Sequence, residues 1–406
     1  MAPLASLQQV SFFSLCLVSV LGMGCSKTDS PSPQQPEANA ETPRSELDSL
    51  QALGYVDYVA SDEEQGPTGA RVHQADSIQP GLNFFSIHSP CEARLIDVDG
   101  NLLHSWSREG NVWGHAELLT DGSIVVPAKE DDGSFLVKLD WNNQLVWRQP
   151  IQAHHDVEVL PDGSLATLSS ELRSIPSIST EHEIRDDLMV QMNSKGEIQT
   201  EYSLATLLDA QAEWEWETVQ PSLVTRDKSI IDLIHANSIV WMHPGWAKLN
   251  PLFQEGNVMV SMRHQNRVVI LHPENGELLW SYGRGEILGQ HDATVLENGN
   301  ILIFDNGLSR GWSRVIEVDP NSKEIVWQWA APEREAFYTA GRGAAQRLAN
   351  GNTLLLESDK GHAIEITKAG TVVWEYTQPP NEDGKTSTIV RMKRYDLNYL
   401  NDSLLQ

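Results

Sequence analysis

Four side chains stand where they could act on one substrate. His291 opens the run HDATVLENGNILIFDNGLSR, seven residues before the Asn298-Gly299 turn, and Arg310 closes it. His155 stands seven residues before Asp162-Gly163, and His235 sits in the run DLIHANSI. His115 is displaced by one, with Gly114 at the equivalent place. An imidazole titrates near neutral pH, so it can attack an electrophile, move a proton or bind a metal. An arginine is a permanent cation whose planar fork fits anionic oxygens. Together these types suit nucleophilic or acid–base chemistry on an anionic group. His154-His155-Asp156 also has the composition of a metal site, but no paired spacing of the HExxH kind accompanies it. Gly384-Lys385-Thr386 imitates the end of a phosphate-binding loop, yet the glycine required earlier is Pro379.

Such residues meet only if the elements around them bring them together. A histidine before one strand and an arginine after the next fall at the same edge of a hairpin, because two strands reverse direction once. That hairpin is one unit of a repeat. A strand, a turn and a second strand bearing a large aromatic recur six times. The turns stand at Gly100, Asn143, Gly196, Gly276, Lys323 and Gly370, and the aromatics include Trp106, Trp147, Tyr202, Trp280, Trp327 and Trp374. A companion strand precedes each unit, as in residues 81–86, 121–126 and 298–303. The turns are spaced by 43, 53, 80, 47 and 47 residues. Repeats of this length with several short strands each predict an all-β, six-bladed β-propeller over residues 81–400. One blade cannot bury both faces alone; stacked blades bury each other, with the aromatics filling the gaps between them. The widest interval predicts an insertion at about 210–246, and Val390 to Tyr395 can supply the strand that closes the ring. Residues entering each innermost strand then face one central funnel, where His155, His235 and His291 converge.

Composition sets the outer bounds. The chain of 406 residues is 40% hydrophobic, enough for a sizeable core, and carries a formal net charge of −27. That charge argues against nucleic acid or an anionic membrane surface as the partner. An anionic small substrate needs local arginines and histidines to overcome the general field. Val10 to Met23 is an apolar run of signal length. It ends at Cys25 and resembles a bacterial lipoprotein signal, a plain cleaved signal being the alternative. Residues 1–25 are thus read as the signal and 26–48, rich in Pro, Ser and Gln, as a flexible tether. Residues 49–80 form a lead-in. The expected location is the periplasm or outer membrane, with the lipid at Cys25 as the sole membrane contact. With Cys16 removed and Cys25 acylated, only Cys91 remains, and no disulfide forms within the chain.

The runs GQHDATVLENGNILIFDNGLSR, DLIHANSI, AHHDVEVLPDGSL and GRGAAQRLANGNTLLLES resemble the arylsulfotransferase family. The resemblance covers roughly residues 80–376, and the histidine–NGN–DNG–arginine run is its most specific part. It implies an exported bacterial enzyme that moves a sulfuryl group from a phenolic sulfate to a phenol through a histidine, with no nucleotide and no cofactor. It also implies that His291, His235 and Arg310 match active-site positions, with His155 placed less securely. Arg310 is then expected to neutralise the sulfuryl oxygens, and His291, in the same repeat, to attack the sulfur. One departure stands out. The family's attacking histidine is expected in the sixth repeat, where this chain has Gly343. Two other readings fit the same repeats: a non-catalytic propeller serving as a binding or assembly scaffold, and a propeller holding a quinone cofactor.

Overall fold

The computed structural model describes residues 58–60, 67–225, 228–381 and 384–405. The signal and tether at 1–48, Cys25 included, lie outside the described residues, as does most of the lead-in up to residue 66. Among the described residues, six sheets of four or more strands, antiparallel except for one added strand in blade three, form six blades. In blade five the alternation of the run around His291 becomes four strands, His291–Val295, Ile301–Asp305, Arg314–Val318 and Ile325–Trp329, paired in that order. Blades two, three, four and six repeat the plan. Blade one takes its innermost strand from the other end of the chain. Ile389–Tyr395 pairs antiparallel with Leu82–Ile87 and closes the ring. From the lead-in, Gly69–Val72 adds an outer strand to blade six.

Burial follows the blades. Six clusters of buried apolar side chains occur among the described residues, each drawn from two adjacent blades. Strands buried on both faces account for continuous apolar runs such as Ile301–Phe304, every residue of which is fully buried. The repeated tryptophans act between blades in a second way. Trp106, Trp280, Trp327 and Trp374 each donate their indole N–H to a turn carbonyl of the next blade, at Asp140, Pro320, Lys368 and Val98. The bond from Trp374 to Val98 joins the last blade to the first.

The stretch read as an insertion divides in two. The helix Leu204–Asp209 precedes it, and its strands Ser222–Thr225 and Lys228–Asp232 extend the sheet of blade three, where the last strand pairs parallel with the start of Glu183–Met192. Ala236–Trp241, however, is the innermost strand of blade four. Its repeat position was obscured because residues 242–257, with two 3-10 turns, separate it from the strand it pairs with.

Candidate functional site

A cavity of about 690 Å³ opens around the propeller axis. Two strand positions, counted by ladder register, contribute to its wall and to the layer beneath it. One is the residue five positions after the first paired residue of each second strand: His88, Lys129, Ser170, Arg263, Asn306 and Ser358 in blades one to six. The first four line the cavity. The other position lies on each innermost strand and gives Arg391, His115, Asp156, Ser238, Asp292 and Ala344, of which Arg391 and His115 line the cavity and the rest lie beneath it. Here the closing strand makes the floor. Arg391 reaches across the axis to Asp156 at 2.8 Å and Asp292 at 3.2 Å. Those carboxylates also accept backbone N–H groups of the next blade, from Ile239 at 3.0 Å and Ala345 at 2.8 Å. A guanidinium between two buried carboxylates is fully compensated.

Seven of the chain's thirteen histidines line this cavity, with five lysines or arginines and a single acid, Asp232. In a protein of net charge −27, a wall with four lysines or arginines besides the compensated Arg391, and one acid, suits an anion. The wall toward blade two is different in kind. Val112, Trp113, Pro127 and Ala128 give it an apolar face fit for an aromatic ring.

His235 is the best oriented of the histidines. It enters the strand through a left-handed φ of +51° and its Nδ1 lies 2.5 Å from Asp232 Oδ2. Burial alone raises the Asp232 pKa, but His235 and Arg185 hold it far below the usual carboxylate range. The carboxylate is therefore ionised and accepts only. Nδ1 carries a proton, and in the neutral ring Nε2 presents its lone pair to the cavity. His264 lies beside it, with ring centroids 4.5 Å apart. Arg263 Nη1 is 3.0 Å from His264 Nε2, and the Asp232 carbonyl is 2.5 Å from Nδ1. Since the guanidinium only donates, His264 is neutral with its proton on Nδ1. Burial and then His235 push its pKa down to about 4.

His291 is held on both nitrogens. Nδ1 donates to Asn306 Oδ1 at 2.8 Å and to the Gly289 carbonyl at 3.1 Å, while Nε2 accepts the Arg342 backbone N–H at 3.2 Å. Burial, then Arg263, drives its pKa well below the ordinary value. His155 faces His235, with ring centroids 4.8 Å apart and planes at 75°. It too has a positive φ, +57°, as does Arg342 at +58°. A non-glycine residue in this region is strained, and such strain gathers at functional sites.

The structure thus brings His155, His235 and His291 to one cavity and leaves Arg310 out of its lining. Arg310 Nη2 sits 3.0 Å from Asp305 Oδ2, and its guanidinium lies over Trp312 at 4.6 Å. The reason is electrostatic: Asp305 is fully buried, and both Arg310 and Arg314 are drawn to compensate it. Arg185, Arg263 and Arg342 stand in the lining instead. The signal for Arg263 was available in the alignment of second-strand ends, which sets it opposite Asn306. Arg185 had no such signal, because it lies in the part of blade three extended by the added strands.

Asp232, His235 and His264 could in principle hold a metal, their ligand atoms lying within 4.8 Å of one another. The donor set fits poorly. Both nitrogens of His264 are engaged, one of them by a guanidinium that would repel a cation. The arrangement is better suited to receiving an anion, with an imidazole lone pair poised beside it.

Residues 115–379 match the family model for arylsulfotransferase (ASST). A comparison with curated protein sequences finds no match. Among solved structures, a protein of unknown function from Bacteroides caccae is similar at 16% identity and a TM-score of 0.51, over 78% of this chain and 99% of that one. A virginiamycin B lyase from Staphylococcus aureus is similar at 11% identity and a TM-score of 0.44, over 84% and 97%. A periplasmic gluconolactonase from Pseudomonas aeruginosa follows at 10% and 0.45, over 79% and 100%. At these identities the first likeness speaks to the propeller fold alone, and the other two carry no weight.

Proposed function

Because the chain belongs to the arylsulfotransferase family, we propose that it transfers a sulfuryl group from an aryl sulfate to a phenol, with His235 as the attacking group. The observation that carries this reading is the Asp232–His235 pair, set in a cavity with five Lys/Arg side chains and one acid. Nucleophilic catalysis needs a lone pair on the attacking nitrogen and a partner for the charge that develops on the ring. His235 has both. His291, favoured by repeat position, has its Nε2 taken by the Arg342 N–H. Its role is better read as holding the sixth-blade entry against the cavity.

In the first step the donor's sulfur forms a bond to His235 Nε2 as the S–O bond to the aryl group breaks, and the electron pair leaves on the phenolate. In the second, the acceptor oxygen bonds to sulfur, the N–S bond breaks and its pair returns to Nε2. Sulfuryl transfer is taken, by analogy with phosphoryl transfer, to pass through a loose transition state, so the enzyme's task is to position and to neutralise. Arg263 and Arg342 lie in the lining for the sulfuryl oxygens, and the Trp113 side for the aromatic ring. The scaffold reading is weaker because a docking surface has no use for a buried, polarised imidazole. The quinone reading is weaker because its calcium site calls for clustered acids.

The test is transfer from 4-nitrophenyl sulfate to phenol by the purified chain, with mass spectrometry of the quenched enzyme. Sulfation of His235, lost in His235→Ala, is expected. An adduct on another histidine, or no transfer, overturns the proposal. We further propose that the protein is exported and anchored through Cys25. Cys25→Ala then moves it from the membrane to the soluble fraction, and unchanged membrane association overturns that.

A further inference from the structure

From the cavity wall inward to Asp187 runs a chain of three groups to which sulfuryl transfer, as described above, gives no task. His154 and His155 are consecutive, yet their Nδ1 atoms lie 2.9 Å apart with ring planes at 89°. The left-handed φ of His155 makes this approach achievable. The Nε2 of His154 lies 3.1 Å from the Ser169 carbonyl and 3.1 Å from Asp187 Oδ1. Both of those oxygens only accept, so Nε2 carries a proton. In the neutral ring Nδ1 is then a lone pair, and the proton between the two Nδ1 atoms belongs to His155. His155 is left with a bare Nε2 on the cavity side, next to His235.

Asp187 gives the chain its direction. It is fully buried, and its Oδ2 accepts the N–H of Ala236, the residue after His235, at 2.8 Å. One carboxylate thus fixes the relay and the backbone of the attacking residue together. Its Oδ1 has no well-aligned hydrogen bond. A buried carboxylate oxygen in that state is costly, and a positive charge arriving on His154 relieves the cost.

We propose that the relay is the proton acceptor for the second half of the reaction, with His155 as a catalytic residue and His154 and Asp187 as positioning residues. This rests on the sulfuryl-transfer reading. As the acceptor's oxygen attacks the sulfur on His235, its O–H proton passes to His155 Nε2. The His155 Nδ1 proton passes to His154 Nδ1, and the charge comes to rest on His154 against Asp187. In the next cycle the same protons run backward and neutralise the departing phenolate. Over both half-reactions one proton moves from acceptor to leaving group.

Two measurements test this. The first compares the burst of 4-nitrophenolate from 4-nitrophenyl sulfate, which needs no proton, with turnover to a series of phenols of rising pKa. The variant is His154→Gln, which keeps a donor toward Asp187 but cannot pass a proton. It is expected to lower turnover with phenol about a hundredfold more than it lowers the burst, with a smaller loss for more acidic phenols. Imidazole should restore turnover to His154→Ala. Equal losses in burst and turnover, independent of phenol pKa, overturn the relay and leave the transfer reading intact. A wild-type chain that gives no burst overturns both. The second measurement needs no variant. A proton inventory of wild-type turnover in mixed H2O and D2O should be curved, reporting two protons in flight, and a linear inventory overturns the relay.

Discussion

Replacing Asp232 by Asn tests the site most directly, because it keeps the shape of the side chain and removes only its charge. Asp232 Oδ2 lies 2.5 Å from His235 Nδ1, and Arg185 holds the same oxygen at 3.3 Å. When His235 attacks, its ring becomes cationic beside that carboxylate. Two unit charges about 4 Å apart at an effective dielectric of 20 attract by about 4 kcal/mol. The Asp232 side chain is 21% exposed, so solvent screens part of this. A loss of about 3 kcal/mol, roughly a hundredfold in rate, is the more realistic expectation. An amide offers a second penalty. Its N–H can donate to His235 Nδ1, favouring the tautomer whose Nε2 has no lone pair, and a wrong tautomer can cost up to about 10⁴-fold. The assay is the stopped-flow burst of 4-nitrophenolate, with donor affinity measured separately. Sulfation slowed about 10²- to 10⁴-fold with donor affinity little changed is expected. A burst within fivefold of wild type would refute the assignment of His235 and Asp232 as a unit.

Other perturbations probe the scaffold that holds the site. Arg391→Met leaves the Asp156 and Asp292 carboxylates buried without their cation, and should cost about 3–5 kcal/mol in denaturant unfolding; a loss below 1 kcal/mol contradicts the floor described above. Burial pushes His115 and His264 down to about 4, so between about pH 6.5 and 4 the unfolded chain binds more protons than the folded one. Stability should fall as pH drops through that window, by on the order of 3 kcal/mol for each histidine, and a melting temperature flat from pH 7 to 4.5 would count against it. Gly343→His restores the histidine that family resemblance leads one to expect, but Gly343 has φ +98° and an added Cβ would overlap the buried Phe304 ring. The variant should lose about 2 kcal/mol or more and gain no sulfated intermediate, and an adduct at position 343 in a stable variant would refute this.

The fold was legible because its determinants are periodic. Alternating strands, a turn residue able to take positive φ, and an aromatic four or six residues after it repeat six times, and each copy reports the same packing problem solved again. The tryptophans were readable as blade packing for the same reason, since each fills one kind of gap. Blade four escaped the register because the residues between its first two strands break the spacing from histidine to turn. Convergence of His155 and His291 also followed from repetition, since equivalent positions in a closed ring must face one axis; in blade four that position is Asn237, and His235 stands two residues before it.

Roles within the site were a different matter. Sequence position made His291 and His155 alike, yet Asn306 and the Arg342 N–H occupy both nitrogens of one, while the other keeps Nε2. It placed Arg310 beside His291, but a fully buried carboxylate one residue from Asn306 draws that arginine away. It gave no reason to join Asp187 to His154, or Arg391 to Asp156, which stand 235 positions apart along the chain. By itself the sequence determined the ring, its blade number and the strand entrances that face its centre, because those depend on patterns local to each repeat. Only the tertiary structure decided which nitrogen is free, which cation is spent and which acid stays charged, because a proton's place depends on partners that different blades supply.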